Sequence, residues 1–85
     1  MVQTRSTSRA IVRDRQIQGG EPIVRGTRVP VRSIVLAFDR HGDIIRVSQS
    51  FELTPEQVEA ALAFYQRHRT EINRIIDENE RAAGA

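Results

Sequence analysis

Two histidines, a few scattered aspartates, one glycine-rich stretch and thirteen arginines are the features of this 85-residue chain from which a chemical role is first sought. His41 and His68 stand far apart, and neither belongs to a ligand pair at helical spacing, so a zinc or general-base role is not supported. Asp14, Asp39, Asp43 and Asp77 are too dispersed to suggest a two-metal nuclease cluster. Gly19, Gly20 and Gly26 lack the following lysine and the Ser or Thr at a helix start that a phosphate-cradling loop requires. No catalytic residue, metal or cofactor is expected, and the chain reads as a binding protein.

The arginines carry the stronger signal, because every basic residue is arginine and their placement is uneven. Residues 1–46 hold nine arginines against four acids, a net +5, whereas residues 47–85 hold four against seven, a net −3. Such a division suits two partners of different chemistry: nucleic acid for the first half and a basic protein for the second. A solvated surface explains the same charges without any partner. Arg5 and Arg9 lie on a Ser/Thr/Arg arm expected to be flexible over residues 1–10. Arg25, Arg28 and Arg32 surround a Pro/Gly hinge, and Arg46 lies further along. These six are the candidate DNA contacts, with Arg28 also a candidate for a structural pair with Glu59.

The elements that must position these side chains can be read in order. Pro22 and Pro30 force extended backbone before them, and Gly26 supplies a turn. Ile11-Val12 and Ile23-Val24 therefore read as the strands of a short hairpin, with Arg28-Val29 delivering the chain into a helix at Val31. Val31, Ile34, Val35 and Phe38 share one helical face, and Gly42 stops that helix near residue 41. Asp43 caps a second helix over 44–49. Thr54, Pro55 and Gln57 form the signature of a capping box with proline at the first helical position, so a third helix begins there.

The third helix meets no glycine or proline before Gly84. Continuous to about residue 80, it would be roughly 40 Å long and overhang its own domain. Ile72, Ile75, Ile76 and Asn79 would then form an exposed partner-binding face, for a second copy or another protein. The alternative is a bend near Thr70 that folds the tail back onto the first helix. The second and third helices, separated by a short break and supported by the first, have the spacing of a helix-turn-helix. Glu56 and Glu59 at the presumed reading end oppose a groove lined by phosphates, so DNA contact is assigned to the hinge and arm instead. The fold class is mainly α: a short N-terminal β-hairpin, a three-helix domain over residues 11–68 and a helical extension over 69–85.

The run Gly20-Glu21-Pro22-Ile23-Val24-Arg25-Gly26-Thr27-Arg28-Val29-Pro30-Val31, followed by Leu53-Thr54-Pro55-Glu56-Gln57-Val58 and Ala60-Ala61-Leu62-Ala63-Phe64, resembles the bacterial family called domain of unknown function 433. The resemblance implies a homeodomain-like three-helix fold and a VapB-like antitoxin of a type II toxin-antitoxin pair, neutralising a PIN-like ribonuclease. Ile45-Arg46 and Ser50-Phe51-Glu52 depart from the family's acidic stretch and Tyr-Pro pair. A homodimer that binds operator DNA and a PIN-like ribonuclease is the leading expectation. A stand-alone dimeric DNA-binding regulator and a protein-interaction module without DNA are the alternatives. The longest apolar run, Ile34-Val35-Leu36-Ala37-Phe38, is too short to span a membrane, and with no cysteine a cytoplasmic location is expected.

Overall fold

The structure, a computed structural model, describes residues 10–84. Strands β1 (Ile11–Val12) and β2 (Ile23–Val24) pair antiparallel, with Ile11 opposite Val24 and Val12 opposite Ile23. Between them the Asp14 carboxylate accepts the Gln16 N–H at 2.9 Å, and a 3-10 turn over Gln18–Gly20 returns the chain. A two-residue ribbon is marginal by itself. This one is held because Ile23 and Val24 are each 1% exposed against the helices.

The hinge is pinned by its own backbone. Val24 N–H donates to Val29 O at 2.9 Å, Thr27 N–H to Val24 O at 3.0 Å, and Gly26 adopts the positive φ of 80° that closes the turn. The Thr27 hydroxyl donates to Val24 O at 2.8 Å and accepts from Val29 N–H at 3.0 Å. Val31 N–H, the first donor of the following helix, reaches back to Pro22 O at 2.9 Å.

Helix α1 (Val31–His41) starts after Pro30 and ends at Gly42, whose left-handed backbone donates to Phe38 O at 2.7 Å. Helix α2 (Ile44–Phe51) is capped by Asp43, which accepts from Ile45 N–H at 2.9 Å, and it runs two residues past the expected end. Glu52, left-handed at φ 59°, terminates it, and Leu53 N–H closes the turn onto Ser48 O at 2.8 Å. Helix α3 (Pro55–Arg67) opens with both halves of the capping box, Gln57 N–H to Thr54 Oγ1 at 3.1 Å and Thr54 N–H to Gln57 Oε1 at 2.8 Å.

The expectation of one continuous helix to residue 80 is corrected here. His68 leaves the helical region at φ −135°, ψ 40°, and a separate helix α4 (Arg69–Gly84) turns back onto α1. Ile72 is 0% exposed within one core with Val24, Val31, Ile34, Val47, Val58 and Ala61, and Ile75 and Ile76 pack against that core half-buried. The isoleucine stripe therefore faces inward, and α4 is part of the domain rather than an appendage to it. The physical reason is the apolar surface itself: about 25 cal/mol is gained per Å² buried, and a single bend allows three isoleucines to be covered. What projects is the hydrophilic end from Asp77 onward, exposed at every residue to Gly84, in a molecule 48 Å along its longest axis.

Candidate functional site

The hinge turn presents Arg25 and Arg28, both exposed, on a loop whose backbone is fixed at both ends. Arg25 N–H donates to Ala10 O at 2.9 Å, and Arg28 O accepts from the Gln18 side-chain amide at 3.3 Å. Their guanidinium groups are in no ion pair among the described residues, where the pairs are Arg13–Glu71, Arg32–Glu21 and Arg81–Asp77. The expected partnership of Arg28 with Glu59 is absent, so Arg28 is available to an external anion. A rigid backbone bearing two unpaired guanidinium groups suits phosphate contact, because little ordering is needed on binding.

Arg32 is different. Its Nε donates to both Glu21 carboxylate oxygens, at 3.0 and 3.1 Å, with side chains only 21% and 11% exposed. It ties the start of α1 to the residue before Pro22 and is corrected from a DNA contact to a structural residue. Arg46 is exposed on α2, next to Ile45, which at 52% is the large apolar side chain left most open among the described residues. The structure brings Arg25 and Arg28 together on one turn; Arg46 stands on a separate element. Arg5 and Arg9 lie outside the described residues.

Helix α3 is unsuited to reading a groove. Glu56 and Glu59 are its exposed residues in the first turns, and Gln57 is committed to the capping box. Of the expected partner face, Ile72 is inaccessible and Ile75 half-covered; Asn79 is exposed, with its amide donating to Ile75 O at 2.8 Å.

A feature not visible in the sequence lies between α1, α3 and α4. An open groove of about 620 Å³ is lined by Val35, Leu36, Phe38, Leu62, Tyr65 and Ile76, with Asp39, Gln66 and Asn73 as its polar members. Val35, Phe38, Leu62, Tyr65 and Ile76 are the flanks of the helical stripes whose centres fill the core. Leu36, off the α1 stripe, was the one signal that this helix has a second apolar side. Arg13 is the other residue that sequence reasoning missed. It forms a two-pronged pair with Glu71, one prong Nη2 to Oε1 at 3.0 Å, and lies 5.8 Å from the centre of the Phe64 ring. Those hydrogen bonds hold the Glu71 carboxyl below the ordinary range, despite its partial burial. Fifty-eight positions separate the two residues, so no local pattern could have shown the pair.

No group of three metal-ligating side chains exists among the described residues, and no helix there is long and apolar enough to cross a membrane. The family model described as protein of unknown function (DUF433) matches residues 11–65. A crystal structure of a DUF433 member protein from Anabaena variabilis is similar in fold, with a TM-score of 0.76 and 24% identity, covering 88% of this chain and 75% of that one. No curated protein matches the sequence.

Proposed function

This chain belongs to the DUF433 family, and from that premise we propose that it is a type II antitoxin, binding operator DNA with one surface and a PIN-like ribonuclease with another. The observation that carries the reading is the separation of two recognition chemistries onto different elements. Unpaired, exposed Arg25 and Arg28 stand on the β2–α1 turn, whereas the apolar groove belongs to α1, α3 and α4.

The groove replaces the isoleucine stripe as the toxin-binding surface. Its apolar lining suits the buried face of an amphipathic helix, and the exposed carboxylates of Asp39 in the groove and of Glu78 and Glu80 on the projecting end of α4 favour a basic partner. Arg46, beside the open Ile45 on α2, is a further exposed cation on a separate element. The reading requires a PIN-like protein encoded next to this chain, and it is tested by titrating the full chain into a ribonuclease assay of that protein. Stoichiometric inhibition, lost in Leu36→Asp and Leu62→Asp while circular dichroism stays unchanged, supports it. Undiminished ribonuclease activity at saturating protein contradicts it.

A further inference from the structure

The bend at His68 occurs in a stretch with no glycine or proline from Glu56 to Ala83. Nothing local forbids a straight helix there. In a continuous helix the His68 N–H would bond Phe64 O. Here it donates instead to Tyr65 O at 3.0 Å, and the vacated Phe64 O is taken by the His68 ring, whose Nδ1 donates to it at 3.0 Å. The ring lies flat on Phe64, centroids 4.0 Å apart. One side chain thus replaces one backbone hydrogen bond, and Ile72 N–H to His68 O at 3.0 Å restarts the helix. Tyr65 Oη to Asn73 Oδ1, at 2.9 Å, spans the corner.

We infer that His68 is a two-state hinge and that α3 and α4, straightened through it, pass α4 to a second copy of this chain. The result is a domain-swapped dimer in which α4 of each protomer docks on α1 of its partner. The occupant is fixed by the contacts themselves. The surface left on α1 by an undocked α4 is complementary to Ile72, Ile75 and Ile76, and Glu71 of the incoming helix meets Arg13 as it does within one chain. Straightened, α3 and α4 make one helix of about 45 Å, ample to bridge two small domains. The inference does not rest on the DNA and toxin reading, since either function could be lost with the swap intact.

Because the swapped dimer re-forms every α4 contact, only the hinge sets the equilibrium. His68→Ala leaves Phe64 O unpartnered in the bent form and should raise the dimerisation constant about tenfold per hinge. Thr70→Pro is tolerated in the first turn of α4 but breaks a straight helix, so it should abolish the dimer. Arg13→Ala removes a contact common to both forms, and should speed exchange without moving the equilibrium. The test is light scattering over a concentration series for all four proteins. It is paired with spin-label distances in which Arg40→Cys on one copy and Asn79→Cys on the other are labelled singly and mixed. The swap predicts an intermolecular distance equal to that within a doubly labelled monomer. His68→Ala remaining monomeric at its solubility limit, a dimer of unchanged strength in folded Thr70→Pro, or an intermolecular distance unlike the intramolecular one would each overturn it.

Discussion

Arg28 and Arg32, four positions apart, have opposite fates because only Arg32 has a carboxylate within reach. Glu21, forced into extended backbone by Pro22, meets Arg32 across the start of α1, whereas Glu59 does not approach Arg28. The sequence supplies the charges but not which of them are spent, since pairing is decided by the hinge geometry. Glu52 makes a similar point about backbone. It stands at φ 59°, a conformation costing a side-chain-bearing residue about 1 kcal/mol. Glu52→Gly should therefore stabilise the protein by about that amount, read as a higher denaturant midpoint at unchanged slope. Glu71 gives a dependence on pH. Hydrogen bonding from Arg13 lowers its folded-state pKa. The stability it contributes is thus complete above the ordinary carboxylate value and is lost as pH falls through the lowered one. Glu71→Gln should be the less stable protein at neutral pH, and the gap should close in acid denaturation curves below the ordinary carboxylate range.

At the scale of elements, starts and stops were legible because each has a local chemical cause. Asp43, Thr54 with Gln57, and Gly42 all act within four residues of themselves, and α1 spans the predicted residues. The bend between α3 and α4 was not legible, because its causes lie in the hairpin and on α1, and it was present only as the less favoured alternative. The consequence is opposite to that of an overhanging tail. Ile72→Asp places a carboxylate in the shared core, and should cost about 4 kcal/mol or unfold the whole domain. Thermal circular dichroism checks this: a single transition, lowered or absent, is expected. Loss of signal from α4 alone would mean that α4 folds independently.

At the scale of the molecule, the charge division between the halves survives folding, but in an altered form. Arg13 and Arg32 are withdrawn into ion pairs, and α4 spends Glu71 on the same purpose, leaving Arg15, Arg25, Arg28, Arg40 and Arg46 as the exposed, unpaired cations among the described residues of the first half and the end of α4 as an acidic projection. The groove between α1, α3 and α4 could not be foreseen without knowing that α4 folds back, since Ile76 forms one of its walls. Family and fold were legible from the hinge motif and the caps; the surfaces that fold creates were not.

The proposed phosphate contacts of the β2–α1 turn are read from the salt dependence of binding to duplex DNA carrying the promoter upstream of this chain's own reading frame. Removing both Arg25 and Arg28 should weaken binding at low salt and flatten the slope of log affinity against log salt by about 1.8, the loss of two phosphate contacts. The Arg32→Gln variant should keep the parent slope if it keeps the fold. An unchanged slope in the double variant, or no DNA binding by the intact chain at low salt, would contradict the account.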